Sequence, residues 1–455
     1  MFHCNSDSVA YINGNDFITY KKLLEDSKRL ACYISNQGDS PVIVYGHKSI
    51  NMIISFLACL IAKRAYVPID ITMPVDRIKE IIRLTKSTLI IKNEDIAIHE
   101  IESIIDIDIE HDYQNVLDLN NNIAYIIFTS GSTGEPKGVP ISYDNLNNFT
   151  CWISNLYTLK ARKNITVMNQ AVYSFDLSVA DIYYSLANGH TLVGVNKWEQ
   201  DDIDLLYNVM LNRKPNVLVM TPTFAKFCLL HSSFNEINMP FIDTIFFCGE
   251  TLSVKIVSKL YERFPKLNII NAYGPTEATC AVTAILITKD MLSTEVLPVG
   301  NMFNNATNIL IKDEEIVLNG ASVFDGYLGD NNEKNQYYHT GDVGYIKNNF
   351  LYCLGRLDQQ VKYSGYRIEL LDIENNILKL KEVEECVVVA IRNGENVVIG
   401  LKAFVVSNTD CSVSDIKEKL SNYIPNYMIP KIIDIVDKIP VNNNGKYDRK
   451  LLSKS

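Results

Sequence analysis

Short apolar runs alternate with segments of helical periodicity through most of this chain. Strand-like apolar runs occur at residues 41–45, 87–91, 216–220, 244–248 and 267–271. A helix-like segment, 252–264, separates the last two runs. This alternation predicts an α/β fold with layered, mainly parallel sheets and flanking helices. Ligands of such folds bind beyond the carboxyl ends of the strands, so the loops after Phe128, Phe247 and Asn271 are the candidate site loops.

The segment 129–139, TSGSTGEPKGV, has the composition of a phosphate-binding loop. It follows the apolar run 123–128 and precedes a helix-like segment at 143–155. Glycine lets the backbone approach a ligand closely, free N–H groups of such a loop cradle phosphate, and Lys137 adds positive charge. The Walker A spacing does not fit, because Pro136 stands where the second glycine should be. The segment therefore predicts a nucleotide loop of another kind, with a flexible Gly/Ser surface loop as the alternative.

A chain of 455 residues is too long for one compact core, so at least two domains are expected. The alternating pattern changes near residue 355, and shorter mixed α and β signals follow. We therefore predict a large domain at 1–357 and a small, mobile α+β domain at 358–455. The segment GRLD at 355–358 would be the boundary.

Composition excludes several classes of protein. The net charge is −10, so the chain as a whole lacks the excess of basic residues that is typical of proteins that bind nucleic acid or anionic membranes. The longest apolar run, 52–62, is too short to span a bilayer and favours a buried helix. The N-terminus lacks a signal-peptide pattern, which predicts a cytoplasmic protein. The ten cysteines form no C-x-x-C pair, so most are expected to be small core residues.

Four later motifs join the phosphate loop: NAYGPTE at 271–277, YHTGD at 338–342, GRLD at 355–358 and NGK at 444–446. In this order they resemble the adenylate-forming (ANL) superfamily of acyl-CoA synthetases, luciferases and peptide-synthetase adenylation domains. The resemblance covers nearly the whole chain. It implies two half-reactions: a carboxylate attacks the α-phosphorus of ATP to give an acyl-adenylate and pyrophosphate, and a thiol then attacks the adenylate to give a thioester.

The resemblance implies ATP and Mg²⁺ as cofactors and assigns a role to each motif. The residues implied to bind ATP are Thr129, Ser130, Ser132, Thr133, Lys137, Asn271, Tyr273, Asp342, Arg356 and Lys446. Ser130, Thr133 and Lys137 would bind the β- and γ-phosphates. Tyr273 would stack on adenine, while Asp342 and Arg356 would approach the ribose.

The implied catalytic residues are Lys446, Thr276 and Glu277. Thr276 would contact the α-phosphate, Glu277 would hold Mg²⁺, and Lys446 would bridge the substrate carboxylate and the α-phosphate. Positive charge and a divalent cation are required because two anions must meet in the first step. Asp358 would be the hinge about which the small domain rotates between the half-reactions.

Each of these residues has a plainer interpretation when taken alone. Asp342 could be a turn aspartate, and Tyr273 a core tyrosine. Lys446 could be a solvated turn lysine, and Asp358 an ordinary linker residue. The ordered set of motifs favours the functional interpretation.

The segment YSFDLSV at 173–179 narrows the carboxylate substrate. It matches the family segment whose aspartate binds the α-ammonium of an amino acid. Burying a carboxylate in a pocket costs free energy unless a cation pairs with it, so Asp176 predicts an ammonium group on the substrate. Fatty and aryl acids would leave it unpaired, which argues against a CoA ligase. The alternative is an N-cap aspartate for the following helix.

Within the superfamily, the chain most resembles the ligases that activate D-alanine for teichoic acids of the cell wall. Cys248 carries much of this resemblance, because peptide-synthetase domains usually have glycine or alanine there. It would crowd the pocket near the substrate's α-carbon and act sterically. No carrier domain follows Lys446, so the acceptor thiol would belong to the phosphopantetheine of a separate carrier protein.

Departures from those ligases keep alternatives open. The chain is shorter, with a hairpin trimmed to Asp313 and Glu314, and His339 replaces a usual arginine or lysine. One alternative is a free-standing adenylation enzyme for another small amino acid in a natural-product pathway. Another is a catalytically silent scaffold, which the presence of Lys137, Glu277 and Lys446 disfavours.

Overall fold

The computed structural model describes residues 7–93, 104–106, 122–131, 135–160, 162–303, 305–329, 337–363, 365–394, 397–407, 411–441 and 447–453. The α-helices of these residues are α1 Tyr20–Ser35, α2 Ile50–Ile61, α3 Val75–Thr85, α4 Tyr143–Ser154, α5 Leu177–Asn188, α6 Lys197–Asp201, α7 Ile203–Arg213, α8 Pro222–Cys228, α9 Val254–Arg263, α10 Leu370–Ile377, α11 Val413–Leu420 and α12 Arg449–Leu452.

The strands are β1 Val9–Asn13, β2 Asp16–Thr19, β3 Val42–Tyr45, β4 Tyr66–Ile69, β5 Leu89–Lys92, β6 Ile104–Asp106, β7 Ile123–Thr129, β8 Lys137–Ser142, β9 Thr166–Asn169, β10 Thr191–Gly194, β11 Val217–Met220, β12 Thr244–Phe247, β13 Asn268–Tyr273, β14 Thr283–Leu286, β15 Gly300–Asn301, β16 Asn308–Lys312, β17 Glu315–Asn319, β18 Tyr338–Lys347, β19 Phe350–Arg356, β20 Gln360–Tyr363, β21 Tyr366–Glu369, β22 Val383–Arg392, β23 Val398–Ser407 and β24 Ile432–Ile435.

The chain divides into two compact units. The first comprises Met1–Ile71, Leu84–Ile127 and Gly138–Leu357, and the second comprises Thr72–Arg83, Phe128–Lys137 and Asp358–Ser455. The last segment begins at the residue where we expected the small domain to start. The two shorter segments of the second unit fall within the range predicted for the large domain. The functional domain boundaries and the mobility of the small domain stay predictions.

The predicted α/β architecture of parallel sheets and helices is confirmed. One sheet has eight strands in the order β14-β13-β12-β11-β9-β10-β1-β2, and another has six in the order β6-β5-β3-β4-β7-β8. In the larger sheet β9, β11, β12 and β13 run parallel, with Phe247 of β12 opposite Asn271 of β13. The carboxyl ends of these strands therefore share one edge, and both Cys248 and Tyr273 lie at that edge.

Two buried helices cover these sheets. The apolar run predicted as a buried helix forms α2, in which every residue from Met52 to Leu60 is buried. Helix α5 is buried from Leu177 to Leu186, and its C-cap residue is Gly189, whose φ of 69° suits glycine. A helix that is buried on all sides needs packing partners all round. The apolar residues of both helices lie within the main core of the first unit.

An antiparallel sheet in the order β15-β19-β18-β17-β16 completes the first unit. The trimmed hairpin joins β16 to β17 through Asp313 and Glu314, which have φ values of 48° and 65°. Two successive left-handed residues make the tight turn that matches strand twist. In the neighbouring pair β18–β19, Asp342 lies opposite Arg356, so opposite charges face each other across the ladder.

In the second unit, β22, β23 and β24 form a sheet against α10 and α11. Arg449 and Glu374 form a two-pronged ion pair, in which Nη2 lies 2.7 Å from Oε2 and Nη1 contacts Oε1. Glu374 Oε1 also accepts the N–H of Val388 at 2.6 Å, while Arg449 Nη1 donates to the Val388 carbonyl at 2.9 Å. This pair ties the start of α12 to α10 and β22.

Replacing Glu374 with alanine is expected to destabilise the second unit by about 3 kcal/mol, because Arg449 and the Val388 N–H lose their shared acceptor. Hydrogen–deuterium exchange of the β22 amides measures this loss directly. Glu384→Ala, which removes an exposed carboxylate from the same strand, is the control and should leave exchange unchanged. Equal exchange in the two variants would contradict a structural role for the pair.

Among the residues that the structure describes, none of the helices is both long and apolar enough to cross a bilayer.

Candidate active site

Tyr273, Asp342 and Arg356 form one cluster in the first unit, in which Tyr273 and Asp342 are buried and Arg356 is partly buried. The Tyr273 hydroxyl donates to Asp342 Oδ2 at 2.7 Å, and Arg356 Nη1 donates to Asp342 Oδ1 at 3.0 Å. Arg356 Nη1 also donates to the Thr340 carbonyl at 2.6 Å. Burial, and then the charge of Asp342, raise the pKa of Tyr273 well above its ordinary value, so the phenol stays protonated. The cluster brings together three residues that the sequence implied for nucleoside binding.

Tyr273 exposes only 4% of its surface, so its ring offers little accessible area for stacking in this conformation. Asn271, on the same strand, is buried and donates through Nδ2 to the Pro298 carbonyl at 2.8 Å. The direct roles implied for these two residues in ATP binding stay predictions.

The turn after β13 brings Thr276 and Glu277 back towards the sheet. The Val282 N–H donates to the Tyr273 carbonyl at 2.9 Å, which closes this turn. A Cβ at Gly274 would lie 2.6 Å from the Ala281 Cα, so only glycine fits the close approach. The motif glycine is thus explained by backbone packing.

Asp176 occupies the N-cap position of α5, but its side chain makes no capping hydrogen bond. Its Oδ2 instead accepts the Thr276 hydroxyl at 2.7 Å, across a sequence separation of 100 residues. Asp176 is 8% exposed. The N-cap alternative is therefore right about the position of Asp176. Its carboxylate does not cap the helix and instead contacts Thr276 in the turn after β13.

Glu277 is fully buried beside Thr276. Its Oε1 accepts the Tyr327 hydroxyl at 2.6 Å, and its backbone carbonyl accepts the Phe324 N–H at 2.8 Å. Within the described part of the chain, no group of three or more His, Cys, Asp or Glu side chains could hold a metal ion. A single carboxylate suits Mg²⁺, which is usually held by one or two carboxylates, waters and substrate phosphates. Glu277 thus fits the implied ion.

Cys248 follows β12 at the sheet edge and is 3% exposed. Its Sγ lies 3.6 Å from the Cys280 carbonyl oxygen, as a thiol donor. Contact with the Cys248 thiol, together with burial, raises the pKa of Cys280 well above its ordinary value, so this neighbour is a neutral thiol. All nine described cysteines are free thiols. Cys248 is thus a buried side chain packed against the segment that contains Cys280.

Sequence reasoning missed the residues that hold the segment 321–323, which contacts the turn containing Thr276 through Thr279. Asn145 of α4 donates through Nδ2 to the carbonyls of Ala321, at 2.8 Å, and Val323, at 3.0 Å. Thr279 donates to the Ser322 carbonyl at 2.9 Å. No motif marks Asn145, because an asparagine near a helix start is ordinarily read as a cap. It is also part of a capping box here.

The described residues of the phosphate loop up to Lys137, which are 129–131 and 135–137, belong to the second unit. The Ser130 hydroxyl donates to the Arg367 carbonyl at 3.0 Å and accepts the Glu369 N–H at 2.9 Å, so β21 engages it in this conformation. A Cβ at Gly131 would lie 2.1 Å from the Glu135 carbonyl oxygen, which requires glycine there. Thr129 ends β7 and Lys137 begins β8, on either side of the loop.

Three predicted site residues, Ser132, Thr133 and Lys446, lie outside the described residues. The predicted hinge residue, Asp358, accepts the Gln360 N–H through Oδ1 at 3.1 Å. Its hinge role stays a prediction.

Comparison with known proteins identifies the class of protein. The family model of AMP-binding enzymes matches residues 3–328, and that of the AMP-binding enzyme C-terminal domain matches residues 372–446. The chain therefore belongs to the AMP-binding enzyme family.

Among individual relatives, the chain is similar to the D-alanine–D-alanyl carrier protein ligase of Bacillus licheniformis. The two are 38% identical over 98% of this chain and 96% of the relative. The adenylation domain AlmE of Vibrio cholerae, solved with glycyl-adenosine-5'-phosphate, has a TM-score of 0.84 at 23% identity and covers 98% of this chain and 94% of its own. An o-succinylbenzoate CoA synthetase (MenE) of Bacillus subtilis has a TM-score of 0.86 at 18% identity, with 99% and 96% covered. The two solved structures establish the fold.

Proposed function

We propose that this enzyme activates D-alanine with ATP and transfers it to the phosphopantetheine thiol of a separate carrier protein. The observation that carries the proposal is Asp176, a buried carboxylate that caps no helix and accepts the Thr276 hydroxyl. A buried carboxylate favours a cationic partner, and the α-ammonium of an amino acid supplies one. The similarity to the Bacillus licheniformis ligase, whose name specifies D-alanine, supports this amino acid.

In the first half-reaction, an oxygen of the alanine carboxylate bonds to the α-phosphorus, and the bond to the bridging oxygen of pyrophosphate breaks. Asp176 would hold the ammonium, which turns the carboxylate towards the nucleotide. Thr276 would orient Asp176 through its hydroxyl and contact the α-phosphate. In the second half-reaction, the carrier thiol attacks the carbonyl carbon and AMP leaves. Holding both reactants in place supplies much of the rate in such reactions.

The remaining residues would bind the nucleotide. Asp342 retains carboxylate lone pairs beyond those used by Tyr273 and Arg356, and these would accept the ribose hydroxyls. Lys137 would offset the charge of the leaving pyrophosphate. Thr129, Ser130, Ser132 and Thr133 would add donors from the loop, with Ser130 exchanging its present backbone partners for phosphate.

Glu277 would hold Mg²⁺, which supplies charge neutralisation to the phosphates when bound. Lys446 would place its ammonium between the substrate carboxylate and the α-phosphate. Because the reaction consumes ATP, we place the enzyme in the cytoplasm, where it would supply D-alanine for cell-wall teichoic acids.

Exchange of labelled pyrophosphate into ATP, run separately with D-alanine, L-alanine, glycine and serine, tests the proposal. The highest kcat/KM is expected with D-alanine. Strongest exchange with another small amino acid would instead support the natural-product alternative, which the trimmed hairpin of β16 and β17 keeps open. No exchange with any of them, from folded protein with Mg²⁺, would support a silent scaffold.

Cys248→Ala is expected to lower the preference for D-alanine over L-alanine by about tenfold, because loss of one buried thiol opens space of roughly methyl size near the substrate. The ratio of kcat/KM for the two enantiomers measures the effect. Cys228→Ala, at a buried cysteine of α8, is the matched control and should leave the ratio unchanged. An unchanged ratio in Cys248→Ala would show that the thiol does not select the enantiomer.

A further inference from the structure

A buried polar network around the ammonium of Lys48 joins this residue, which no motif marks, to the start of the segment 173–179. Lys48 is 1% exposed and follows β3. Its Nζ donates to Asn169 Oδ1 at 2.9 Å and to the Ala171 carbonyl at 2.5 Å, and it lies 3.9 Å from the centre of the Tyr173 ring. Asn169 ends β9, so Lys48 binds the strand end from which the segment leading to Asp176 departs.

This network holds that segment on both sides. The Tyr173 hydroxyl donates to Asn169 Oδ1 at 2.8 Å, which fixes residue 173 relative to the strand end. Asn169 Nδ2 donates to Asp181 Oδ1 at 2.8 Å, which fixes α5 to the same point. Asp176 lies between these attachments, at the N-cap of α5, and its own side chain is engaged by Thr276. The location of Asp176 in the fold is therefore fixed by the strand end that precedes it and by the helix that follows it.

The charge of Lys48 is costly in this place. Burial lowers the pKa of Lys48 to about 7, offset in part by the charges of Asp181 and Asp70. Burial likewise raises the pKa of Asp181 to about 8. Asp70 is held by His47 Nδ1 at 2.7 Å. Lys48 therefore carries a burial cost at the strand end that it holds, which its charged and hydrogen-bonded neighbours offset only in part.

We propose that Lys48 is a positioning residue for the amino-acid substrate. By holding Ala171, Asn169 and the Tyr173 ring, it fixes the segment 170–175 and thereby the place of the Asp176 carboxylate. This inference rests on the proposed function, in which Asp176 binds the ammonium. Small displacements of such a group weaken substrate binding strongly.

Pyrophosphate exchange with the Lys48→Met variant of the full chain tests the inference. Methionine keeps the apolar volume and removes every donor. We expect the KM for D-alanine to rise about tenfold, with the KM for ATP and kcat close to the wild type. Lys48→Gln retains a hydrogen-bond donor without the charge, so its KM for D-alanine should lie between those of the wild type and Lys48→Met. It also serves as the second variant if Lys48→Met fails to fold.

Arg64→Met is the matched control. Arg64 is also a fully buried cation on backbone carbonyls, donating to Ile34 at 2.7 Å and to Ser40 at 2.9 Å. It precedes β4, at the amino ends of the strands, whereas Lys48 follows the carboxyl end of β3. Its loss should lower stability without changing the KM for D-alanine.

The outcomes separate the two proposals. A wild-type protein without D-alanine-dependent exchange contradicts the proposed function. Active wild type with an unchanged KM for D-alanine in Lys48→Met, or in Lys48→Gln if only that variant folds, overturns the positioning role. The role is also overturned if the KM values for D-alanine and ATP rise equally, or if Arg64→Met reproduces the D-alanine effect.

Discussion

Replacing Asp176 with asparagine is expected to raise the KM for D-alanine about a hundredfold, while the KM for ATP stays near the wild-type value. Asparagine has the same shape and still accepts the Thr276 hydroxyl, so the turn after β13 keeps its contact. The variant loses the negative charge that would face the substrate ammonium. Removing one partner of a buried charge pair costs about 3 kcal/mol, which is the origin of the expected factor. Steady-state pyrophosphate exchange at varied D-alanine and at varied ATP measures both constants.

Asp202→Asn is the matched control for this change. Asp202 is the N-cap residue of α7, and its side chain accepts the N–H groups of Asp204 and Leu205. It therefore caps a helix in the ordinary way, whereas Asp176 does not. If both variants left the KM for D-alanine unchanged, Asp176 would not bind the substrate ammonium.

Glu277→Gln is the second variant with a large expected effect. The carboxylate is fully buried and holds the Tyr327 hydroxyl at 2.6 Å. Glutamine preserves the volume and an oxygen acceptor for Tyr327, but it is a much poorer ligand for Mg²⁺. We expect kcat for adenylation to fall about a hundredfold and the Mg²⁺ concentration for half-maximal rate to rise. Exchange rates measured across a Mg²⁺ titration test both effects.

Glu199→Gln provides the comparison for that titration. Glu199 is a buried carboxylate in the same unit, and its Oε2 accepts the Asn196 N–H at 2.7 Å at the start of α6. It should leave the Mg²⁺ dependence unaltered. If the Glu277→Gln enzyme had the wild-type kcat and the wild-type Mg²⁺ dependence, Glu277 would not be a ligand of Mg²⁺.

The sequence predicted the fold because its signals are local. Apolar runs of strand length mark β3, β11 and β12 to within one residue, and the predicted helix at 252–264 forms α9. Periodicity reports which residues are buried, and burial decides most of these elements. The motif glycines were also informative, since Gly131 and Gly274 stand where a Cβ would clash with backbone.

The contacts within the site were harder to predict because they join distant parts of the chain. Nothing in the segment around Asp176 indicates that Thr276 is its partner, and nothing around Glu277 indicates Tyr327. Lys48 gave no signal at all, because a lone lysine after a strand is ordinarily solvated. Only its contacts with Asn169 and Ala171, far along the chain, show that its ammonium is buried.

The most direct test of the central claim compares D-alanine with D-lactate, which has a hydroxyl in place of the ammonium. The ratio of kcat/KM for D-alanine over D-lactate, from pyrophosphate exchange, is measured in the wild type and in Asp176→Asn. If Asp176 recognises the ammonium, the wild type strongly prefers D-alanine, and the variant lowers that ratio by about a hundredfold. A ratio that is the same in both proteins would contradict the claim.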